Sequence, residues 1–262
     1  MALLEKAGVF CYSVRIMSKL LTIRDLQVDI GDANILRGVD MDISPGEIHI
    51  VMGPNGSGKS TLANAIMGHY ACDIRGGEII FDGQNLSGRK PEERSDLGIF
   101  LAFQSPREIQ GIQADEVLFE ASKKRGPCRS YASVFELREE LARQASALQL
   151  NADLVSRSLN VGFSGGEKKK MEMLQLSILK PRLALLDEID SGLDIDSLKT
   201  ISRQINEFAG EGGSALIITH YQRIVEYLDV GAVHVMLEGK IVRSGNKDMV
   251  GLIEEKGYRN FT

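Results

Sequence analysis

The first part of the chain alternates apolar and polar residues with a period of two. The alternation runs over residues 20–30 and again over 35–43, and Gly31 and Asp32 lie between the two runs. A period of two is typical of half-buried strands, and a glycine in such a gap favours a tight turn. The pattern therefore predicts two antiparallel strands, with a further strand over residues 78–81.

Short, mostly apolar runs occur along the rest of the chain, separated by stretches with helical spacing. Strands are predicted at residues 48–52, 97–103, 183–186, 215–219 and 232–237, and helices are predicted to begin near Leu62, Glu167, Asp194 and Tyr221. The 97–103 run is almost wholly apolar, which is typical of a strand buried at the centre of a sheet. Strands and helices that alternate in this way predict a parallel sheet covered by helices.

Residues 105–163 interrupt this alternation. Helical spacing occurs at 115–124 and at 134–150, and Gly126 and Pro127 separate the two stretches. The expected fold class is α/β, with an antiparallel β subdomain and an inserted helical subdomain. We place an N-terminal extension at residues 1–18, the α/β core at 19–104 and 164–262, and the inserted helical subdomain at 105–163.

Composition and charge narrow the classes of function. The chain has 262 residues, of which 43% are hydrophobic and 26% are charged, and these are values typical of a globular protein. The net charge is −5 and no basic run is longer than Lys168 to Lys170, so nucleic acid is not an expected partner. The apolar runs fall short of the roughly 18 residues that a membrane helix needs, so direct membrane insertion is not expected.

The cysteines indicate a compartment. Cys11, Cys72 and Cys128 are odd in number and widely spaced, and they form no Cys-x-x-Cys motif. This favours a reducing, cytoplasmic location over a disulfide framework or a preformed metal site. Residues 1–16 lack a small-residue cleavage site and are interpreted as an extension, and Met17 could be the working start.

The sharpest chemical signal follows the predicted strand at 48–52. The motif reads Gly53, Pro54, Asn55, Gly56, Ser57, Gly58, Lys59, Ser60 and Thr61. Its glycines allow a tight turn with N–H groups pointing inward, and the next helix presents its positive N-terminus to the same anion. Lys59 is expected to reach the β and γ phosphates of a nucleotide, Ser60 to hold Mg²⁺ and Thr61 to bond the α phosphate. A glycine-rich surface loop that binds nothing is the alternative, but the strand and helix around the motif are the context that phosphate binding requires.

Two adjacent carboxylates end another predicted strand. Asp187 and Glu188 follow the apolar run at 183–186, at the sheet edge where parallel α/β folds bind their ligands. Asp187 is therefore the candidate metal ligand, and Glu188 is the candidate base that orients or deprotonates a water. Without the phosphate loop, the pair would equally be two solvated acids after a strand.

A second anion site is predicted where a helix begins. Ser164 and Glu167 have the spacing of a capping box, and Gly165 and Gly166 between them leave backbone N–H groups uncovered. A capped helix after a loop is the alternative explanation. It does not account for two consecutive glycines in the first turn, which weaken a helix.

Six motifs in this order resemble the nucleotide-binding domain of ABC ATPases: the phosphate loop, Gln104, the Ser164 to Glu167 opening, Asp187 with Glu188, the stretch 191–194, and Thr219 with His220. The resemblance covers nearly everything from residue 20 onward and implies a P-loop ABC-type fold. It also implies that two such domains enclose two ATP, with Ser164 to Glu167 of one subunit closing over the phosphate loop of the other. By the same resemblance, Gln104 contacts Mg²⁺ and the attacking water, Asp194 lies at the dimer seam, and His220 contacts the γ phosphate.

A narrower resemblance rests on four longer runs, at residues 103–109, 161–170, 187–196 and 219–224. They are similar to the SufC family, the soluble ATPase subunits of the Suf iron–sulfur cluster assembly machine. Phe163 and Glu167 replace the Leu and Gln usual in transporters, as they do in that family. The resemblance implies SufB-like and SufD-like scaffold proteins as partners. The ATP-binding subunit of a membrane ABC transporter is the alternative.

The resemblance also implies a mechanism. A water held by Glu188 attacks ATP in line, and the charge on the γ phosphate is met by Lys59, Mg²⁺, His220 and Ser164 of the partner subunit. Because each copy holds half a site, we expect an isolated chain to be a slow ATPase that associates weakly.

Residues 28–32 lack the aromatic side chain that many ABC domains stack on adenine, which predicts loose base selectivity.

Overall fold

The computed structural model describes residues 19–124 and 131–261. The interpretations of residues 1–18, of Cys128 and of the break at Gly126 and Pro127 lie outside the described residues. The strands are β1 (Leu21–Ile30), β2 (Ala33–Ile43), β3 (Ile48–Met52), β4 (Asp73–Phe81), β5 (Gln84–Asn85), β6 (Ile99–Ala102), β7 (Leu183–Asp187), β8 (Ser214–Ile218), β9 (Val230–Leu237) and β10 (Lys240–Gly245). The helices are α1 (Lys59–Met67), α2 (Pro91–Asp96), α3 (Ala114–Lys123), α4 (Val134–Ala147), α5 (Gly165–Leu179), α6 (Ile195–Gly210), α7 (Arg223–Glu226) and α8 (Met249–Lys256), with 3₁₀ turns at Ala152–Ser156 and Tyr258–Phe261.

A four-stranded antiparallel sheet confirms the first sequence pattern. Its strand order is β2-β1-β4-β5, and Leu21 of β1 lies opposite Ile43 of β2. Gly31 has a φ of 58°, the left-handed conformation that the turn between β1 and β2 requires. Four apolar residues of β1 are fully buried, namely Leu21, Ile23, Leu26 and Val28, so one face of this sheet lies on the core.

A six-stranded, mostly parallel sheet forms the centre of the protein. Its order is β10-β9-β3-β8-β7-β6, and only the β9–β10 pair among these neighbours is antiparallel. The predicted parallel sheet is thus confirmed, with an antiparallel edge strand that the sequence pattern did not indicate. Strands β3 and β7 are parallel and β8 lies between them, so their carboxyl ends lie at the same edge of the sheet. This edge holds both the phosphate loop and Asp187.

The central position predicted for the 97–103 strand is wrong. The observed strand, β6, is shorter and lies at the edge of the six-stranded sheet, where β7 is its only paired neighbour among the described residues. Ile99 and Ala102 are buried even so, because neighbouring elements, α1 and α2 among them, cover this edge. An apolar run therefore indicates that both faces of a strand are covered. The position of that strand in the sheet depends on distant segments of the chain.

The inserted segment is helical, and α3 and α4 pack against α5. Leu118, Leu137 and Leu141 are buried in the same core cluster as the inner residues of α5. The buried carboxylate of Asp115 accepts a 2.8 Å bond from the Arg138 guanidinium, which joins α3 to α4. The boundaries at residues 105 and 163 stay a prediction.

A chain of hydrogen bonds through two buried histidines crosses β3, β9 and β10. His49 Nε2 lies 3.0 Å from the Glu47 carboxylate, His49 Nδ1 lies 2.9 Å from His234 Nε2, and His234 Nδ1 lies 2.7 Å from Ser244 Oγ. The Glu47 carboxylate can only accept, so with both rings neutral the protons lie at Nε2 of each ring and on the Ser244 hydroxyl. If both rings were protonated, His49 Nδ1 and His234 Nε2 would both be donors and the contact between them would be lost.

Acid should therefore weaken the fold through this pair. Burial lowers the pKa of both imidazoles, that of His234 to about 4, so between pH 6.5 and 4 the unfolded chain binds protons that the folded chain does not. We expect the lowered pKa of His234 to decrease the free energy of unfolding by about 2 kcal/mol when the pH falls from 7 to 5. Urea unfolding at the two pH values measures this. His234→Gln should reduce the pH dependence, whereas His69→Gln on the surface should not; equal pH dependence in all three proteins would contradict the expectation.

Candidate functional site

The phosphate loop joins β3 to α1 as the motif predicts. Gly56 and Gly58 have φ values of 80° and 105°, which side-chain-bearing residues rarely adopt. At Gly53 a Cβ would lie only 2.2 Å from the carbonyl oxygen of Met236, in β9. The loop is therefore folded tightly against β9, and each of these glycines has a steric reason.

Lys59 is buried inside the loop. Its ammonium donates 2.9 Å bonds to the carbonyl oxygens of Gly53 and Pro54. Burial lowers the pKa of Lys59, while the nearby carboxylates of Glu188 and Asp187 oppose that shift. The ammonium thus lies between the loop and two acids, at a point where it can also meet an anion held by the loop N–H groups.

Asp187 and Ser60 fit a magnesium ion. Asp187 ends β7 and is buried, the Ser60 hydroxyl opposes the rise in its pKa and lines the same cavity, and its Oδ1 has no hydrogen-bond partner among the described residues. Burial is the main cause that raises the pKa of Asp187, with Glu188 adding to it. Mg²⁺ prefers carboxylate, hydroxyl and water oxygens, so the unpartnered oxygen beside a serine hydroxyl is a suitable donor set.

Glu188 is the point where three elements meet. Its carboxylate accepts a 2.8 Å bond from the side-chain amide of Gln104 and lies 3.4 Å from His220 Nδ1. Its φ is 51°, and its N–H donates to the carbonyl oxygen of Ile218 at the end of β8. This conformation turns the side chain out of the strand direction toward Gln104 and His220, so the structure brings together three residues that are far apart in sequence.

Two cavities lie beside these residues. One of about 320 Å³ is lined by the phosphate loop together with Ile35, Gln104 and Glu188. A second, of about 480 Å³, is lined by residues that include Ser60, Gln104 and Asp187. A phosphate chain on the loop would therefore lie between the metal candidate and the candidate base.

The Ser164 segment is positioned away from these cavities. Glu167 N–H donates to Ser164 Oγ at 3.3 Å and Ser164 N–H donates to the Glu167 carboxylate at 2.8 Å, which confirms the capping box. A Cβ on Gly165 would meet nothing within 4 Å, and one on Gly166 would make ordinary contact with Leu193. Neither cavity around Glu188 is lined by these residues, so within one chain the two predicted anion sites are separate.

Asp194 is exposed and caps the next helix. Its carboxylate accepts a 2.7 Å bond from the N–H of Ser197 at the start of α6, and this bond lowers the pKa of Asp194. The structure thus gives Asp194 a local role within the chain. Its predicted place at a dimer seam stays a prediction.

Three residues beside the site were given no role by the sequence analysis. Lys169 is buried and donates to the carbonyl oxygen of Glu188 and to Ser191 Oγ. Tyr258 lies beside the phosphate loop, where burial raises the pKa of its phenol and the N–H of Gly53 opposes that shift. Glu172 is buried and accepts a hydrogen bond from the N–H of Phe103, the residue before Gln104. Glu172 and Tyr258 lie outside the motifs, and Lys169 lies in the 161–170 run without a role assigned to it. No local pattern marks which side chains of a helix or terminal segment turn inward.

Comparisons with known proteins agree with this geometry. A model of the ABC transporter family matches residues 36–191. The probable ATP-dependent transporter ycf16 of Antithamnion sp. is 46% identical over 249 residues, covering 91% of this chain and 96% of that protein. The probable ATP-dependent transporter SufC of Escherichia coli is 43% identical over 241 residues, covering 91% of this chain and 97% of that protein.

Solved structures share the fold. The ATP-binding subunit of an ABC transporter superposes with a TM-score of 0.75 at 25% identity, over 92% of this chain and 94% of that one. A dimeric ATP-binding cassette in a post-hydrolysis state, bound to ADP and phosphate, superposes with a TM-score of 0.75 at 20% identity, over 87% of this chain and 98% of that one. The family match, the relatives and the site geometry together show that this chain is an ATP-hydrolysing member of the ABC ATPase family, in the group that includes SufC and ycf16.

Proposed function

We propose that two copies of this chain enclose two ATP molecules and use their hydrolysis to move a SufB-like and SufD-like scaffold during iron–sulfur cluster assembly. The observation that carries the proposal is the placement of the two anion sites. Glu188 lies on the cavity of the phosphate loop, whereas the open helix start at Ser164 lies elsewhere on the same chain. Each chain thus supplies one half of a site that a second copy can complete.

The phosphate loop and the strand end divide the work of binding. Lys59 exchanges its two loop carbonyls for oxygens of the β and γ phosphates. Ser60 and Asp187, with Gln104, hold Mg²⁺, which when bound neutralises charge that develops on the phosphates. Thr61 bonds the α phosphate. Backbone N–H groups of residues 53–61 supply the remaining donors.

Glu188, Gln104 and His220 serve the reaction itself. The Glu188 carboxylate accepts a proton from the attacking water, and the Gln104 amide, which already bonds that carboxylate, fixes the direction of the water. His220 lies beside Glu188 and contacts the γ phosphate. Because these groups converge on one point at fixed distances, little rearrangement is needed on this side of the site.

The partner copy closes the other side. The N–H groups at the start of α5 and the Ser164 hydroxyl of the partner subunit face the γ phosphate, with the positive end of the helix toward the anion. Asp194 lies at the seam between the copies. A single chain lacks this half, so its basal ATPase activity is low and its self-association is weak without nucleotide.

The scaffold contact is assigned to the surface beside Gln104. Four apolar side chains are exposed on this surface or on the following segment: Tyr70 (87%), Phe103 (52%), Ile109 (40%) and Ile112 (43%). Tyr70 and Phe103 also line the 480 Å³ cavity that reaches Asp187. A protein bound here would be mechanically linked to the Gln104 loop, and closure of the two copies would move it.

Reconstitution tests the proposed function. The full chain is mixed with purified SufB-like and SufD-like proteins from the same source, and complex formation is measured by size-exclusion chromatography alongside ATPase rate. We expect a complex and a several-fold higher rate, both reduced by Tyr70→Ser or Phe103→Ser. Val242→Ser, at a 40% exposed residue on β10, is the matched control. Absence of a complex at micromolar concentrations would remove the scaffold assignment and leave the ATPase assignment intact.

The transporter alternative makes a different prediction. Within residues 19–124 and 131–261, no helix is both long and apolar enough to cross a membrane. Affinity capture from gently lysed source cells, divided into soluble and membrane fractions, separates the two. Recovery of the scaffold proteins in the soluble fraction supports cluster assembly, whereas recovery of a polytopic membrane protein would show a transport motor.

GTP should compete with ATP for this site. The cavity around the phosphate loop is lined by aliphatic Ile35 near the β1–β2 turn, and residues 28–32 provide no aromatic ring for adenine. Base stacking on a ring is worth about 1–3 kcal/mol, and without it the phosphates dominate affinity. We expect dissociation constants for GTP and ATP within about tenfold in a competition titration, with tripolyphosphate as the control for the loop alone. A preference for ATP of more than about 100-fold would contradict this.

A further inference from the structure

A buried carboxyl group joins α5 to the Gln104 loop. Glu172 lies two turns into α5 and is only 4% exposed. Its Oε1 accepts a 2.9 Å bond from the N–H of Phe103, the residue just before Gln104. Its Oε2 has no partner among the described residues. The bond thus joins two residues that are 69 positions apart in sequence. It holds the backbone directly before Gln104, whose side-chain amide bonds to Glu188.

The surroundings of Glu172 are unusual for an acid. Burial raises its pKa to about 8, opposed by the Phe103 N–H and the charge of Lys169. Neighbouring positions on α5, such as Met171 and Met173, are fully buried and apolar. An apolar residue of the same length would fill this space without the desolvation of a carboxyl group, so packing alone does not explain a glutamate here.

Little else holds the backbone at Phe103. The Phe103 side chain is 52% exposed, and β6 ends one residue earlier, at the edge of the sheet. Gln104 and the residues after it are exposed as well, so packing does not fix the start of this loop. The bond to Glu172 therefore sets where the Gln104 side chain begins, relative to a helix that is itself rigidly packed.

We propose that Glu172 is a positioning residue for ATP hydrolysis: by holding the Phe103 N–H, it keeps the Gln104 amide on the Glu188 carboxylate. The inference rests on the function proposed above for Gln104 and Glu188. Glu172 touches neither nucleotide nor water. Its loss lets the loop drift, and misplacement of an orienting group slows the chemical step more than it weakens binding.

Two substitutions at Glu172 distinguish the role of its hydrogen-bond acceptor oxygen from the role of its side-chain size. Glu172→Met keeps the length and removes the acceptor, and we expect it to lower kcat about tenfold with the KM for ATP changed by less than about twofold. Glu172→Gln keeps the acceptor oxygen and should retain at least half of the wild-type kcat. Met173→Leu, in the next position of the same helix, is the control for disturbance of the core. All are measured on the full chain, together with thermal unfolding.

Several results would overturn the inference. Wild-type kcat in Glu172→Met would do so, and so would equal losses in the Gln and Met variants when both are folded. If Glu172→Met does not fold, amide exchange in the wild-type chain decides: the Phe103 N–H should exchange much more slowly than the N–H groups of Ser105 and Arg107, and equally fast exchange would refute the bond. Gln104→Ala is run in parallel. If it also leaves kcat unchanged, the proposed role of Gln104 fails rather than that of Glu172.

Discussion

Glu188→Gln should leave ATP binding intact and lower kcat by about 100- to 10,000-fold, the range that a positioned general base contributes. The glutamine amide oxygen can still accept the bond from Gln104, so the geometry around the residue is retained. What is lost is the carboxylate that takes the proton from the attacking water. The nucleotide is then held in a site that is assembled but has no base.

Binding in this variant should be as tight as in the wild type or tighter. Glu188 places a negative charge beside Lys59 and Asp187, on the cavity that the phosphates enter. Removing that charge lowers the repulsion felt by a polyanion. A fluorescent ATP analogue measures the dissociation constant, and release of phosphate in single-turnover conditions measures the chemical step.

Asp25→Asn is the matched control. Asp25, in β1, also has a positive φ, 44° against 51° at Glu188, and it lies outside the cavities at the phosphate loop, so both changes remove one charge at a left-handed backbone position. The control should hydrolyse ATP at the wild-type rate. Full turnover in Glu188→Gln would exclude Glu188 as the base, and equal losses in the two variants would attribute the effect to backbone conformation instead.

Contiguous motifs explain how much of the site could be predicted. The phosphate loop lies within nine consecutive residues, and the strand before it and the helix after it are fixed by local pattern. Asp187 and Glu188 could be placed at the same edge because carboxyl ends of parallel strands meet there. The approach of Gln104 and His220 to Glu188 came from the family resemblance, since no local pattern encodes a contact across 84 positions.

The features that were missed depend on packing between distant segments. Glu172 and Lys169 are charged residues in a helix, and they are buried in contact with the residues that directly follow β6 and β7, which no local sequence pattern indicates. Strand β10 is mostly exposed at a sheet edge and has no apolar period to reveal it. The place of β6 at the opposite edge likewise depends on strand order, which a local apolar run does not encode.

Two damaged chains should restore activity when they are mixed. Lys59→Ala removes the ammonium of the phosphate loop, and Gly165→Asp places a carboxylate where the partner's γ phosphate would lie. Each variant alone should lose at least about 100-fold in ATPase rate, because both sites of its homodimer lack one half. A heterodimer contains one site with an intact loop facing an intact α5. Random pairing at equal concentrations then returns about a quarter of the wild-type rate, since half of the dimers carry one good site of two.

The structure favours Gly165 for this test. A side chain there meets nothing within 4 Å in its own chain, and an aspartate in the first turn of α5 suits the helix dipole. The fold of the single chain should therefore be unaffected, which thermal unfolding verifies, and the damage appears only when a second copy brings its nucleotide. Gly251→Asp in α8, which also points into open space, is the control for added charge.

Differently tagged variants allow the heterodimer to be isolated, so that its presence is established independently of its activity. Recovery near a quarter of the wild-type rate in the mixture, and near half in the isolated heterodimer, requires that the helix start at Gly165 and the phosphate loop act across two chains. If an isolated heterodimer stays as inactive as the homodimers, the two sites do not combine in this way. If Gly165→Asp alone hydrolyses ATP normally, the start of α5 does not contact the nucleotide, and the chain must complete its site without a second copy.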